Sequence, residues 1–340
     1  MNMTELSEPC FKKKGERTVK KNNPKIVILD SYAANPGDLS WDGLKELGNV
    51  TIYDRCPGEK EEILRRCRDA EIVLTNKVPF PREILTALPE LKLIAVQATG
   101  YNIIDCAAAR ESGITVCNVP SYSTDSVAQL VFAMILELSV GSAFQSREVH
   151  EGKWSHAKDF TFFSCPMTEL AGQTLGIFGL GTIGRKVAQI GHAFGMKVLY
   201  YSRSRKECDF AAAVTLEELF TQSDILTLHA PQTPETMHIV NAENLRKMKS
   251  NALLINTARG GLVDSPALAE ALNRGIIAGA GIDVLEQEPP PEDHVLLHAR
   301  NCLVTPHVGW ATLQARKRLI RVLCDNVRAF LAGSPVNVVN

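Results

Sequence analysis

Short apolar runs, each closing on a polar or acidic residue, alternate along this chain with stretches of helical periodicity. The first is Lys25-Ile26-Val27-Ile28-Leu29-Asp30, and segments 50–53, 72–75, 93–96 and 114–117 repeat its character. Helical patterns separate them, for example at 61–67 and 81–88. Such alternation predicts an α/β chain with a parallel sheet covered by helices on both faces. This first unit closes at Asn118-Val119-Pro120. A long helix is predicted over 123–138, with Ser123 or Thr124 as its cap. A second series of strands then runs through 175–178, 197–201, 225–229, 252–256, 278–283 and 302–305, enough for a complete doubly wound sheet. The tail, 311–331, reads as one more amphipathic helix. The first unit is too short to close all its surfaces, so the tail helix is expected to return to it. That gives one domain from 25–119 and 311–340, with a second domain, 120–310, inserted.

The opening of the second series carries the most information. Segment 175–178 runs directly into Gly179-Leu180-Gly181-Thr182-Ile183-Gly184, and a helical pattern follows. Strand, Gly-x-Gly-x-x-Gly and helix in that order predict a dinucleotide-binding turn. Gly179 permits the tight turn, Gly181 lets backbone approach a pyrophosphate, and Gly184 lets helix pack on strand. The N–H groups opening the helix would face the phosphates, aided by its dipole.

Composition narrows the class without adding chemistry. Among 340 residues, 45% are hydrophobic and 22% charged, the balance of an ordinary globular protein. A net charge of −1 gives no general attraction to nucleic acid or to anionic membrane. No apolar run approaches the ~20 residues of a bilayer span; the longest, 127–140, is interrupted by Gln129 and Glu137 and reads as a buried helix. The nine cysteines are odd in number, scattered and without Cys-x-x-Cys. They suggest reduced thiols in the cytoplasm rather than disulfides or structural zinc. No secretory signal is visible at the N-terminus. Residues 1–24 crowd Lys12, Lys13, Lys14, Arg17, Lys20 and Lys21. They read as a nucleic-acid or targeting arm, or more plainly as a solvated, disordered extension; charge balance elsewhere favours the second.

Three polar segments follow strands of the second series: Asn256-Thr257-Ala258-Arg259-Gly260, Asp283-Val284-Leu285-Glu286-Gln287-Glu288-Pro289 and Thr305-Pro306-His307-Val308-Gly309-Trp310. Ligands of open parallel sheets bind at that edge. Together the segments supply a fixed cation, carboxylates and an imidazole, the set that hydride transfer to a carbonyl needs. Arginine anchors a carboxylate bidentately. Histidine can protonate the oxygen near neutral pH, and a neighbouring carboxylate orients it. His294 and His298 could mimic a metal pair, but no third ligand has suitable spacing; a solvated helix face is the plainer reading, and no metal is expected.

Gly-Leu-Gly-Thr-Ile-Gly, Asn-Thr-Ala-Arg-Gly, Asp-Val-x-x-x-Glu-Pro and Thr-Pro-His, in this order, make the chain resemble the D-isomer-specific 2-hydroxyacid dehydrogenases from about residue 25 to the end. The resemblance implies a Rossmann dinucleotide domain inserted into a flavodoxin-like substrate domain. It implies that Arg259 binds the substrate carboxylate and that His307 is the acid–base group with Glu288 as partner. Glu286 is the decoy for Glu288, set aside by Pro289 and the family spacing. Asp283 would bind the nicotinamide carboxamide, and Thr182 and Ile183 would lie on the pyrophosphate. His229, Pro231 and Thr257 complete the expected cofactor contacts. Backbone at Gly100 and Tyr101, beside Thr99, would hold the substrate carboxylate. Trp310 and Tyr101 line the pocket or pack at a domain interface. Lys77 reaches the substrate or is simply an exposed loop lysine. A homodimer through the 123–138 helix and the segment after it is implied by resemblance.

An NAD site usually places an acid ~20 residues beyond the glycine turn. Here Ser202 stands at that point, followed by Arg203, Ser204, Arg205 and Lys206. Hydroxyls and guanidinium groups would accept a 2′-phosphate that a carboxylate would repel. NADP(H) is therefore favoured, with NAD(H) as the alternative. The run from Asn118 to Gln129, and Trp310, look most like the glycerate dehydrogenases, also called hydroxypyruvate or glyoxylate reductases. Reduction of hydroxypyruvate or glyoxylate to D-glycerate or glycolate is the expected activity. The alternatives are a D-lactate or other D-2-hydroxyacid dehydrogenase, or a nucleotide-binding corepressor of the same fold. A formate dehydrogenase would not match the Glu-Pro and His pairing.

Overall fold

The computed structural model describes residues 23–340, so the basic stretch at 1–24 lies, apart from its last two residues, outside the described residues. Two compact units divide the chain. One gathers the described residues up to Val96 with Tyr101–Cys117 and Cys324–Asn340; the other gathers Gln97–Gly100 with Asn118–Leu323.

The first unit is built on five parallel strands: β1 (Lys25–Ile28), β2 (Asn49–Ile52), β3 (Ile72–Thr75), β4 (Leu93–Val96) and β5 (Thr115–Cys117). Their order, β2-β1-β3-β4-β5, is the flavodoxin-like one. β3 and β4 are buried throughout, as strands covered on both faces must be, while edge strand β2 carries Asn49 and Thr51 towards solvent. Helices α1 (Asp42–Lys45), α2 (Lys60–Cys67), α3 (Arg82–Leu85) and α4 (Cys106–Glu111) connect them. The helical pattern at 81–88 forms only the single turn α3. Pro89 disfavours helical backbone at Leu88, which helps to close the segment early. A feature outside the pattern completes the sheet: Val338 bridges Cys117, and Asn340 brackets β5 by accepting from Val116 N at 2.9 Å and donating to Ile114 O at 2.7 Å. The exposed edge of β5 is thereby covered.

The second unit carries seven parallel strands, ordered β12-β11-β10-β9-β6-β7-β8. They are β6 (Thr174–Phe178), β7 (Lys197–Tyr201), β8 (Ala212–Ala213), β9 (Ile225–Leu228), β10 (Leu253–Asn256), β11 (Gly279–Ile282) and β12 (Cys302–Val304). Six were predicted; β8, two exposed alanines, has no apolar signal to read. The helices are α5 (Thr124–Val140), α6 (Ser142–His150), α7 (Thr182–Ala193), α8 (Leu216–Gln222), α9 (Ala242–Lys247), α10 (Ser265–Asn273) and α11 (Leu313–Leu331). Strand residues alternate between two cores. Leu226, Leu228 and Leu254 join the α8–α10 side, whereas Ile225, Leu253 and Ile255 join α5 and α7. α5 is buried along most of its length and ends at Gly141, whose φ of 66° closes it. The compact-unit boundary falls inside α11, between Leu323 and Cys324. Among the described residues no single helix is long and apolar enough to cross a membrane. The chain leaves β6 in one direction through β7 and returns on its other side at β9, so β6 and β9 flank the topological switch point.

Candidate active site

The glycine turn opens at that switch point. Gly179 has φ +99° and lies so close to the β9 loop that a Cβ would sit 2.7 Å from Ala230 N. Its own N–H donates to Tyr201 O at 2.8 Å, tying the turn to β7. A Cβ on Gly184 would approach Gly179 O to 2.2 Å, so the helix packs on the turn only because none is there. A Cβ on Gly181 would meet nothing within 4 Å, leaving open space above the turn. No side chain caps α7, so the N–H groups of Thr182 and Ile183 are left for an anion.

Two orphaned atoms mark the same edge. His229 Nε2 and Thr257 Oγ1 are buried without a hydrogen-bond partner among the described residues. They stand one residue beyond the paired Leu228 and Asn256 of β9 and β10. Burial pulls the His229 imidazole down to about 3, so it is neutral at physiological pH. Buried polar atoms are ordinarily satisfied, and these two, with the open turn, fit a polar ligand lying along the edge as a dinucleotide would. Pro231 is exposed beyond His229, and its carbonyl accepts from Thr236 Oγ1 at 2.8 Å. At the end of β7 no carboxylate occupies the ribose-reading position. Ser202 is half-buried, and Arg203 and Ser204 are exposed. The hydrogen bond from Thr233, chiefly, with Arg203 adding to it, lowers the Glu235 carboxyl from its usual range.

The imidazole of His307 and the carboxylate of Glu288 meet at 2.6 Å, Nδ1 to Oε2, with 31% and 30% of their side chains exposed. The other oxygen of Glu288 accepts from Leu285 N at 3.0 Å, which fixes the carboxylate. A proton on Nδ1 satisfies this contact and leaves Nε2 for a substrate. Glu286 is engaged elsewhere: Ser265 Oγ donates to both its oxygens at 2.7 Å, and His294 Nε2 lies 3.7 Å away.

His307 has φ 53°, the left-handed region that non-glycine residues avoid. Asp283, itself only 2% exposed, holds that loop. Its carbonyl accepts from His307 N at 2.8 Å. Its Oδ1 accepts from Thr305 Oγ1 at 2.6 Å and Val308 N at 2.8 Å, and its Oδ2 from Gly309 N at 2.8 Å. From α5, Ser126 Oγ donates to Gly309 O at 2.6 Å. The Asp283 carboxylate thus has a structural employment that resemblance did not assign.

Arg259 is exposed, its Nη1 donating to Ala258 O at 2.6 Å. Asn256 shapes the turn beneath it, donating to Arg259 O and accepting from Ala258 N. Nearby lies Tyr122, whose phenol burial pushes well above its usual range while the Ser123 hydrogen bond and the Arg259 charge oppose the shift. The Tyr122 ring meets Trp310 edge-on, with centroids 6.5 Å apart. Trp310 therefore packs against the phenol ring that the Arg259 charge reaches. Tyr122 and Ser126 lie in the 118–129 run, where neither spacing nor residue type marked them for these contacts.

Thr99 and Gly100 belong to the second unit, where Thr99 Oγ1 donates to Val119 O at 2.8 Å and Asn118 Nδ2 to Thr99 O at 2.8 Å. Tyr101 and Lys77 belong to the first. Lys77 is exposed, and its N–H donates to Asp30 Oδ2 at 2.7 Å. The helix face expected to carry His294 and His298 is instead one 3-10 turn, Val295–Leu297. His294 Nδ1 accepts from Leu296 N, and His298 Nε2 faces Glu292 O at 3.0 Å. Only four residues, His298 to Asn301, separate that turn from β12, too few to extend it into a helix. Among the described residues no group of three metal-ligating side chains converges.

A dinucleotide turn, a positioned imidazole–carboxylate pair and an arginine on one sheet edge define an oxidoreductase site of the doubly wound class. Residues 132–309, more than half of the chain, match the family model for the D-isomer specific 2-hydroxyacid dehydrogenase NAD binding domain. A hydroxypyruvate reductase of Blautia hydrogenotrophica is 46% identical over 320 residues, covering 93% of this chain and 99% of that protein. A glycerate dehydrogenase of Methylorubrum extorquens is 46% identical over 281 residues, covering 82% and 88%. Among solved structures, an NADPH-dependent glyoxylate/hydroxypyruvate reductase from Sinorhizobium meliloti, in complex with NADP and malonate, superposes with a TM-score of 0.80 at 29% identity over 94% of this chain and 97% of that one. The chain belongs to the D-isomer-specific 2-hydroxyacid dehydrogenases. It is an oxidoreductase acting on a CH–OH group, with a Rossmann domain set into a flavodoxin-like one.

Proposed function

We propose that this chain reduces hydroxypyruvate or glyoxylate to D-glycerate or glycolate, with NADPH as the favoured hydride donor and NADH as the alternative. The observation that carries the reading is the His307–Glu288 pair, held on a left-handed loop at the edge of the sheet that also carries the glycine turn. The nicotinamide, when bound, supplies hydride to the keto carbon. Arg259 forks onto the substrate carboxylate and draws electron density from the carbonyl. The N–H group of Gly100, in the same unit as Arg259 and without a partner among the described residues, suits the same carboxylate. His307 Nε2 passes its proton to the carbonyl oxygen as that oxygen becomes an alkoxide, and Glu288 steadies the ring through Nδ1. In the reverse direction neutral Nε2 accepts the proton. Thr182, Ile183, His229 and Thr257 would line the dinucleotide, and Ser202, Arg203 and Ser204 would receive a 2′-phosphate. Trp310 and Tyr122 would shape a pocket suited to small keto acids.

On this reading the substrate domain comprises 25–119 and 311–340, the dinucleotide domain 120–310, and the enzyme works in the cytoplasm as a homodimer. Support for the dimer is the apolar surface beyond α6, where Phe160 is 89% and Phe163 75% exposed, beside Trp154 and Met167. Light scattering checks it: a mass of one chain removes the dimer from the proposal. The activity is tested by initial rates with NADPH and NADH against glyoxylate, hydroxypyruvate, pyruvate and phosphohydroxypyruvate. The highest kcat/KM is expected for hydroxypyruvate or glyoxylate with NADPH. Nucleotide binding without turnover of any of these acids would overturn the reading.

A further inference from the structure

The loop that follows β7 contains the residues assigned to a 2′-phosphate, yet it has no strand or helix of its own between Ser202 and Glu207. Arg203, Ser204, Arg205 and Glu207 are exposed. Lys206 is the exception, half-buried, and its contacts explain why. The phenol of Tyr200, on a β7 side chain only 2% exposed, donates to Lys206 O and accepts from Lys206 N at 3.0 Å. The Lys206 ammonium then reaches across to Leu180 O at 3.1 Å, between Gly179 and Gly181. A third tether runs from α7, where Arg185 Nη1 donates to Glu207 O at 2.6 Å. The loop is thus fastened to its own strand at Tyr200 and to the glycine turn at Lys206.

We propose that Tyr200 and Lys206 are positioning residues that set the cofactor preference, by holding Ser202–Ser204 at a fixed spacing from the glycine turn. This rests on the assignment of NADPH to the site. The reasoning is geometric. In the cofactor, ribose and pyrophosphate are joined covalently, so a loop reading one must keep register with the turn holding the other. A guanidinium on a free surface loop spends much of its binding energy on ordering that loop. Tethered at Lys206, Arg203 meets a phosphate with the fork already placed. A ribose hydroxyl, uncharged and needing no fork, loses far less when the tether is cut. The two residues therefore discriminate between cofactors while touching neither the 2′-group nor the reacting atoms.

The test compares KM for NADPH and NADH in the wild type, Tyr200→Phe and Lys206→Met, with melting temperatures as a check on folding. Tyr200→Phe changes no charge, so its effect reports position alone. Both variants are expected to raise KM for NADPH about fivefold or more, leaving KM for NADH within about twofold and kcat at saturation unchanged. Equal changes for the two cofactors, or none, overturn the inference while leaving an NADPH-preferring wild type in place. A wild type that prefers NADH overturns the NADPH assignment itself, and the inference with it. Should Tyr200→Phe melt early, Lys206→Met decides, since that side chain is only half-buried.

Discussion

Two strands of the same sheet are each followed by a histidine, and the two sites have opposite character. Beyond β12, His307 is paired with Glu288, partly exposed and mounted on a loop that Asp283 and Ser126 lock. Beyond β9, the Nε2 atom of His229 is buried without a partner, and the ring stays neutral through desolvation. An imidazole transfers protons where it has a partner and access to substrate; the first site offers a carboxylate and an open face, while burial at the second keeps the ring neutral. Strand-end position and residue type are shared; the surroundings assign the roles.

Removing the first imidazole should have the largest effect. His307→Ala is expected to lower kcat by about 10²–10⁴-fold with little change in KM, the usual worth of a general acid; steady-state kinetics check it, and undiminished turnover would sink the acid–base role. Breaking the pair from the other side comes next. Glu288→Gln should cost about 10- to 100-fold in kcat, the worth of a charge-assisted hydrogen bond. The same change at Glu286, two residues away but bonded to Ser265, should leave kcat within about twofold. Parallel losses in both variants would erase the distinction between these carboxylates.

His229 should show itself in stability rather than in turnover. Its folded value of about 3 lies below the ordinary 6.5, so under acid the unfolded chain takes up a proton that the folded chain refuses. Stability is complete above pH 6.5 and falls as pH drops towards 3, by at most about 1.4 kcal/mol per pH unit from this residue. Chemical denaturation across that window should be shallower for His229→Gln than for the wild type; identical slopes would mean that the ring ionises in the fold. The smallest effect belongs to Ser126→Ala, which leaves Gly309 O without its side-chain donor at a cost of about 1 kcal/mol. If the loop that carries His307 is held as described, kcat falls a few-fold with it, whereas a change in melting temperature alone would make Ser126 a packing residue only.

Much of this contrast was legible in one dimension. The glycine turn, the strand series and the order of Arg259, Glu288 and His307 are matters of local spacing, and backbone sterics tie spacing to conformation within a few residues. The strand β8 was not legible, because two exposed alanines owe their pairing to Leu199 and Tyr200 alone. The helix expected at 81–88 shrank to one turn, and that expected around His294 and His298 to a 3-10 turn. Short patterns there lacked the packing partners that lengthen a helix.

Sequence by itself determined that a dinucleotide turn starts the second sheet and which residue types crowd that sheet's far edge, since both follow from periodicity and glycine sterics. Family resemblance had already named Glu288 as the partner of His307; tertiary structure alone decided that Asp283 and Ser126 hold His307 in a left-handed turn, and that Lys206 folds back on Leu180. Each of those outcomes joins residues distant along the chain, through burial and hydrogen-bond geometry that no local spacing specifies.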